Sequence, residues 1–315
     1  MRRDVSDYIV QRLGESGLKY AWPLFLLLAE EGPMGQQEAA ERLRLTRGTS
    51  NLYSHALEGA GLIRRVRVVR GRIGRPKVIW DVDRENNWLL TTVVAAPQML
   101  SFLTTLGGDT VAEWEWDLAE LSRRRELERA LREVLAASRR LAERQKAHLR
   151  LAVAALPALL DERSGRVKLS ANVPMLNGLD FEAIVRRRLG IPALAAYLGL
   201  VFFYGETEFL DPNEESLVVY MDLGIGAVFG QGAVPITQRP QDHPARPSAP
   251  GLGHVRVVRD GRRCHCGGSG CLEAYAAGWA MIERLGISEP FGLAQLLQKV
   301  QSGDAAARQA ADEAM

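Results

Sequence analysis

The sequence predicts two domains: a winged helix-turn-helix unit over residues 1–85 and an α/β domain over residues 86–315. The first is indicated by helices at helix-turn-helix spacing with a strand hairpin after them. The second is indicated by alternating strands and helices, the pattern of an α/β sheet. A composition of 47% hydrophobic and 25% charged residues is that of ordinary globular domains, and it excludes a disordered, collagen-like or disulfide-rich chain.

Three helices are predicted in the first unit. The first covers residues 18–30 and ends at Gly32-Pro33. The second covers residues 36–43, and the third covers residues 47–59 with Thr46 as its N-terminal cap. The short turn between the second and third helices is what predicts the helix-turn-helix arrangement.

A basic hairpin follows these helices. Residues 62–70 and 78–80 predict two strands joined by a glycine-containing loop, with residues 81–87 as a linker. Seven basic and no acidic side chains lie between residues 64 and 77. Residues 1–85 carry a net charge of +4 (15 basic, 11 acidic), whereas the remainder carries −2 (25 basic, 27 acidic). Such a run is usually a solvated face, but opposite phosphates it becomes a surface that releases counterions.

The second domain is predicted to alternate strands and helices up to a helix-forming, alanine-rich end. The predicted elements are strands at 89–96, 99–105 and 111–117, a long charged helix at 118–148, strands at 150–156 and 166–170, helices at 180–189 and 195–206, and strands at 216–222 and 225–230.

No feature of the sequence predicts a membrane association. The longest uncharged apolar run, Ile191 to Tyr204, has 14 residues and is shorter than a bilayer-spanning helix requires. The N-terminus leads into no apolar segment of the kind found in signal peptides. We therefore expect a cytoplasmic protein.

The cysteines predict a structural zinc site. Cys264, Cys266 and Cys271 lie within eight residues, and His254 completes a Cys₃His ligand set with no open coordination position. Glycines at positions 267, 268 and 270 are expected to let the loop turn around the metal. His265 is expected to be an exposed neighbour, and the alternative to the whole site is a loop with incidental thiols.

The first unit is a candidate DNA-binding module. The start of its third helix offers polar groups suited to base edges and phosphates, and the hairpin tip offers arginines for the backbone or minor groove. The candidate contact residues are Arg47, Thr49, Ser50, Asn51, Ser54, Arg72 and Arg75. The alternative is a winged-helix fold that contacts other proteins.

Two stretches resemble one known family. The first is Gly253-His254, Gly261 and the run CHCGGSGCLE from Cys264 to Glu273. It resembles the zinc signature of the ROK family, named for repressors, uncharacterised reading frames and sugar kinases. The second, GP…EAAERLRLTRGTSNLYSHALEGAGLI…GRIGRP, is similar to the winged helix-turn-helix of that family's repressors. The resemblance implies an actin-like, ribonuclease H-like second domain and a homodimer on a pseudo-palindromic operator of carbohydrate-related genes.

The chain differs from the family's kinases at the positions of their catalytic and substrate-binding residues. Ala196-Tyr197-Leu198 stands where the kinases have a Glu-Asn-Asp-like run, so leucine replaces the carboxylate that takes the proton from the sugar hydroxyl. A lost general base alone lowers a rate by roughly 10²–10⁴. Gly251 replaces a sugar-binding glutamate, and residues 93–100 lack the Asp-x-Gly-x-Thr phosphate pattern. We therefore expect no enzymatic activity.

The resemblance also implies an effector site. It assigns sugar-like effector contacts to Asn172, His254 and Glu273. Tyr197 and Leu198 remove hydrogen-bonding groups that a polyol needs, so we expect either a less polar ligand or no ligand. The family normally continues for several tens of residues beyond Met315, which predicts an incomplete second lobe.

The sequence therefore favours a DNA-binding transcriptional regulator of the ROK type, with a repressor as the expected form. Two alternatives belong to other classes: a ROK sugar kinase, and a zinc-stabilised interaction scaffold without DNA affinity. Salt-dependent DNA binding distinguishes the regulator from the scaffold.

Overall fold

The computed structural model describes residues 17–69, 77–161, 163–207, 210–211, 213–232, 234–235, 251–288 and 292–312. In these ranges the two predicted units have separate apolar cores. One cluster of buried side chains extends from Ala21 to Val82, and another extends from Trp88 to Leu296. The boundary predicted between residues 85 and 86 lies in the segment between these clusters.

The first unit is built from three helices and a small sheet. A π-helical turn, Gly17–Ala21, leads into α1 (Trp22–Glu31), and β1 (Met34–Gly35) precedes α2 (Gln36–Arg42) and α3 (Arg47–Gly59). Strands β2 (Ile63–Val69) and β3 (Lys77–Val82) complete an antiparallel sheet in the order β1-β3-β2. Leu24, Leu28 and Trp80 are each 1% exposed in its core. The predicted helices and hairpin are confirmed.

A five-stranded sheet forms the first lobe of the second domain. Its strands are β4 (Asn87–Ala95), β5 (Gln98–Thr105), β6 (Thr110–Asp117), β7 (His148–Leu156) and β10 (Ala193–Tyr197), in the order β10-β7-β4-β5-β6. Strands β4, β7 and β10 run parallel, and β4, β5 and β6 pair antiparallel. Alternate residues of β4 and β5 are buried because the apolar side chains point to one face. Helices α4 (Arg124–Gln145) and α5 (Phe181–Leu189) pack on this lobe.

The remaining elements form a smaller second lobe. Strands β11 (Glu215–Met221), β12 (Ile225–Gln231) and β13 (Val234–Pro235) make an antiparallel sheet, and α6 (Leu198–Thr207) packs on one face of it. Four helices follow: α7 (Glu273–Ala276), α8 (Gly278–Arg284), α9 (Leu293–Gln301) and α10 (Ala305–Asp312). A short ribbon, β8 (Leu159–Leu160) and β9 (Val167–Leu169), lies beside the first lobe.

Two element predictions differ from the structure. The helix predicted over 118–148 is the shorter α4, because residues 118–123 form a turn that buries Leu118 and Leu121. The helix predicted over 195–206 is confirmed only from Leu198, where α6 begins, because residues up to Tyr197 form β10. A short apolar run does not distinguish a buried strand from a buried helical segment, and here parallel pairing with β7 selects the strand.

Among the described residues, no helix combines the length and the apolar character that crossing a membrane requires.

Candidate functional site

Helix α3 presents an exposed polar face at its start. The Thr46 hydroxyl accepts a hydrogen bond from the Thr49 N–H at 3.1 Å, which confirms the predicted cap. Arg47 and Asn51 lie one turn apart and are exposed, whereas Thr49 is half-buried. Gln36 of α2 donates to Asn51 Oδ1 at 2.8 Å, so the Asn51 amide donors remain available. This arrangement is compatible with contacts to base edges and phosphates.

Two predicted contact residues of α3 are buried instead. Ser50 is 0% exposed and donates its hydroxyl to the carbonyl of the first α2 residue at 3.1 Å, and Ser54 is 1% exposed. Neither can reach a base edge, so both are removed from the contact set. The exposed face continues through Leu52, which is 62% exposed, and His55. Neither residue is among the contacts predicted from the sequence, although helical periodicity from Asn51 points to His55.

Part of the basic hairpin is neutralised within the protein. Arg64 Nη1 lies 3.0 Å from a carboxylate oxygen of Glu85, and Arg65 Nε lies 2.7 Å from one of Glu58 near the end of α3. These ion pairs hold β2 to neighbouring segments and reduce the charge available to a polyanion. The free positive charge of the hairpin is therefore smaller than the count of basic residues between positions 64 and 77 indicates.

Of the remaining arginines considered for DNA contact, one is exposed in the structure and two lie outside the described residues. Arg67 on β2 is exposed, and it forms no ion pair in the part of the chain that the structure describes. Arg72 and Arg75, predicted to contact the DNA backbone or minor groove, lie outside the described residues.

The four predicted metal ligands come together in the second lobe. The ligand atoms of His254, Cys264, Cys266 and Cys271 all lie within 4.8 Å of one another. His254 Nδ1 is 3.6 Å from Cys264 Sγ, and the sulfurs of Cys266 and Cys271 are 3.8 Å apart. Tetrahedral zinc, with bonds of about 2.3 Å to sulfur and about 2.1 Å to nitrogen, requires separations of about 3.6 Å and 3.8 Å for these pairs. The four residues therefore fit a closed Cys₃His zinc site.

Glycine shapes the cysteine loop at two positions. Gly267 and Gly270 have φ values of +91° and +74°, in the left-handed region. A Cβ on Gly270 would lie 1.8 Å from the Val258 carbonyl oxygen, so a larger residue does not fit. Gly268 is different, because a Cβ there would meet the nearest sulfurs at 3.5 and 3.7 Å. The turn therefore does not require glycine at position 268, contrary to the prediction.

The thiol and imidazole groups near the cluster have distinct roles. Burial raises the pKa of Cys264 to about 12, so a metal that binds there displaces a proton from the thiol. His265 is exposed and lies outside the cluster, as expected. Its ring stacks on Trp279 at 3.9 Å between centroids, and its Nδ1 lies 3.0 Å from Asn172 Oδ1.

A cavity of about 360 Å³ lies beside the metal cluster, between the two lobes. It brings together six of the positions connected above with an effector or with lost catalysis: Asn172, Tyr197, Leu198, Gly251, His254 and Glu273. Much of the remaining wall is apolar and includes Leu159, Leu169 and Leu223. Tyr220 and Asp222 also line it and were missed, because only the pairing of β11 with β12 brings that strand end to the cavity.

Both carboxylate oxygens of Glu273 accept hydrogen bonds from the protein itself. It is 3% exposed, and its Oε1 accepts a hydrogen bond from the Ile225 N–H at 2.8 Å. Its Oε2 accepts hydrogen bonds from Asn172 Nδ2 and from Trp279 Nε1, both at 3.3 Å. The carboxylate therefore connects β12, α8 and the segment before α5, and it has little capacity left for a ligand.

The other polar groups of the cavity differ in how many hydrogen-bond partners the protein gives them. The hydroxyl oxygens of Tyr197 and Tyr220 are 2.5 Å apart, and burial raises the pKa of both phenols, so both stay protonated. Burial also raises the pKa of Asp222, whose carboxylate accepts a hydrogen bond from the Leu223 N–H. Among the described residues, Asp222 forms no ion pair, and the lining includes neither lysine nor arginine.

Two parallel strands connect the first unit to this cavity. Strand β4 starts at Asn87 beside the first unit and ends at Ala95, which lines the cavity. Strand β7 starts at His148 and leads to Pro157, which also lines it. At about 3.3 Å per residue, β4 spans about 26 Å between these two points.

A polar junction formed by Asn87 and Arg150 attaches the end of α3 to these strands. Asn87 is 0% exposed, and its Nδ2 donates to the carbonyls of Gly61 at 2.8 Å and Asp83 at 2.6 Å. Its Oδ1 accepts from Arg150 Nε, and Arg150 Nη2 donates to the Ala60 carbonyl at 2.7 Å. Gly61 has a φ of +69°, and a Cβ there would lie 3.1 Å from Arg150 Nη2, so the junction fits closely around a glycine.

The fold and these sites define a class of protein: a winged helix-turn-helix unit followed by a two-lobed α/β domain with a Cys₃His cluster beside the cavity between its lobes. Residues 117–315 match the model of the ROK family, and the chain belongs to that family. The resemblance seen in the sequence is thereby confirmed.

Similar proteins of known role include regulators and kinases. The chain is 24% identical over 268 residues to the DNA-binding transcriptional dual regulator NagC of Escherichia coli strain K12 and to the N-acetylglucosamine repressor of Shigella flexneri. These matches cover 83% of this chain and 63% of each relative, so the chain spans less than two thirds of their length. A glucokinase of Streptomyces coelicolor is 32% identical over 98 residues, 31% of this chain.

Solved structures show the same architecture. A ROK family transcriptional regulator described as a homolog of the E. coli MLC protein has a TM-score of 0.66 and 20% identity, covering 90% of this chain and 68% of that one. A ROK family glucokinase from Streptomyces griseus, in complex with glucose and AMPPNP, has a TM-score of 0.54 and 16% identity over 72% of this chain and 75% of that one. These similarities confirm the predicted actin-like α/β fold.

Proposed function

We propose that this protein is a cytoplasmic DNA-binding transcriptional regulator, a repressor that acts as a homodimer on a pseudo-palindromic operator. The observation that carries the proposal is the attachment of α3, through the Asn87–Arg150 junction, to two strands that end at a cavity. The names of the NagC relatives support a regulator of sugar-related genes. A twofold axis would present two copies of α3 to two half-sites.

In the proposed complex, α3 enters the major groove and the hairpin lies on the backbone. Arg47 and Asn51 are the exposed groups at the start of α3, with Thr49 beside them. Arg67, together with Arg72 and Arg75 of the loop predicted from the sequence, would supply charge to phosphates. Leu52 offers an apolar surface suited to a thymine methyl group.

The cavity supports regulation in preference to catalysis. Leu198 lines it at the position expected of the proton acceptor, and a leucine side chain has no group that accepts a proton. Glu273, one of the two carboxylates among the described lining residues, is engaged by three donors of the protein. We therefore propose that the chain binds a small molecule without phosphorylating it.

The proposed zinc is structural. His254, Cys264, Cys266 and Cys271 fill all four positions of a tetrahedral ion, and zinc in such a site supplies folding free energy. The loop that the ion would close leads directly into α7, whose first residue is Glu273. The metal would thus keep both His254 and Glu273 at the cavity wall.

Regulation is proposed to pass along β4 and β7. A ligand between the lobes would contact the cavity ends of these strands, near Ala95 and Pro157. Because paired strands move together, a shift there would reach Asn87 and Arg150 and change how α3 is held. DNA affinity would then depend on whether the cavity is filled.

The proposal is tested by capturing fragmented genomic DNA of the source organism on the purified protein and sequencing what is retained. We expect a shared pseudo-palindromic motif with half-sites about 10–10.5 bp apart, or a multiple of that spacing. Asn51→Ala, an exposed substitution, is the matched control and is expected to relax the preference at one base position of the motif while keeping its fold. Retention of DNA without any shared motif, or no retention at low salt, would reject a sequence-specific regulator and favour the scaffold.

A further inference from the structure

The polar groups of the cavity beside the metal cluster point to a particular class of ligand. We propose that this cavity binds a small organic cation with an apolar body and excludes anions such as sugar phosphates. The ligand's role as effector rests on the proposed function, whereas its chemical class rests on the cavity alone.

The charge of the described lining residues is negative. Asp222 and Glu273 are carboxylates, and the described lining residues include no lysine or arginine. In a partly buried site these charges are weakly screened, so they repel a phosphate or carboxylate and attract a cation.

Most hydrogen-bonding groups of the lining are already used. Glu273 accepts three hydrogen bonds from the protein, and Asn172 is engaged at its amide nitrogen by Glu273 and at its oxygen by His265. The hydroxyls of Tyr197 and Tyr220 bond to each other. A polyol would lose its water and find few partners in exchange, which disfavours its binding.

Asp222 has acceptor positions left open. A carboxylate has about four acceptor positions, and the Leu223 N–H uses one of those of Asp222. An ammonium group on a ligand would form a charge-assisted hydrogen bond with it. The rings of Tyr197 and Tyr220 line the same cavity and offer aromatic surface to a cation, and the leucine side chains of the wall offer apolar surface to its body. The volume of about 360 Å³ limits the ligand to a small molecule.

The test uses three probes of one shape that differ in charge. Benzylamine, benzyl alcohol and benzoate are titrated into the full chain with its metal and followed by calorimetry or ligand-observed NMR, with glucose and glucose 6-phosphate as polyol probes. We expect benzylamine to bind at least tenfold more tightly than benzyl alcohol, and the other three compounds to bind more weakly still. Equal or tighter binding of benzoate, glucose or glucose 6-phosphate would overturn the proposal, and so would no binding by any probe at millimolar concentration.

Two variants locate the effect. Asp222→Asn keeps the shape and removes the charge, so it is expected to weaken benzylamine binding at least tenfold while leaving benzyl alcohol unchanged. Glu215→Gln removes an exposed charge from the other end of β11 and is expected to change neither. If Asp222→Asn binds benzylamine like the wild type, the assignment of Asp222 is wrong. DNA binding is measured separately on the same samples, so failure of the ligand class and failure of the regulator proposal are distinguishable.

Discussion

Replacing one thiolate of the metal cluster tests its structural role. Cys266 is the best choice because it is half-buried, whereas Cys264 and Cys271 are 6% and 4% exposed and also fill the core. Mutation of a residue that hydrogen-bonds to a metal ligand weakens metal affinity by about 10–100-fold. Cys266 is itself one of the four proposed ligands, so Cys266→Ser is expected to weaken metal affinity by about 100-fold or more. That factor corresponds to about 2.7 kcal/mol of lost stabilisation when free zinc exceeds both dissociation constants. For a domain of this size the melting temperature should fall by about 5–11 °C.

The assay combines metal analysis of the purified, reduced protein with calorimetric melting. The wild type is expected to contain one zinc per chain, and Cys266→Ser much less after dialysis against a weak chelator. His265→Gln is the matched control in the same loop, because His265 contacts Trp279 and lies outside the cluster, and it is expected to keep its zinc. A wild-type protein without zinc, or a Cys266→Ser variant with full zinc and unchanged melting, would refute the reasoning.

Three further predictions concern the cavity, the junction and the hairpin. A coupled assay with ATP and common hexoses should show no turnover, because Leu198 occupies the proton-acceptor position, and a rate near 1 s⁻¹ or above would contradict this. Gly61→Ala should lower the free energy of unfolding, measured by chemical denaturation, by about 1–2 kcal/mol more than Gly190→Ala, because both glycines have positive φ but only Gly61 has close neighbouring atoms. Equal losses for the two variants would show that close packing around Gly61 does not matter. Arg75→Ala should flatten the log–log salt dependence of DNA binding by about one unit, and an unchanged slope would exclude a phosphate contact.

Local signals predicted several elements to within a residue or two. Thr46 has the side chain of an N-cap, and glycines follow the apolar pattern of α3, so its predicted bounds of 47–59 agree with the structure. The metal cluster was predictable for a related reason. The residue types and short spacing of its three cysteines restrict the chemistry before any fold is known.

Other features depend on contacts between distant segments. Ser50 resembles a DNA-contacting residue in the sequence, yet packing of α3 on α2 buries it. The segment 193–197 is a strand because β7 lies beside it, which no local pattern shows. Asn87 and Arg150 are 63 residues apart, and Asp222 reaches the cavity only through the turn between β11 and β12. These positions required the tertiary structure.

The most direct test of the central claim, that α3 recognises a DNA sequence, compares wild type with Asn51→Ala on two duplexes. Binding to the motif recovered from genomic DNA and to a random duplex of equal length is measured by fluorescence anisotropy at several salt concentrations. The predicted result is a loss of about 1–3 kcal/mol for Asn51→Ala on the motif, with binding to the random duplex unchanged. Equal loss on both duplexes, or no loss on either, would contradict the assignment of α3 as the recognition helix.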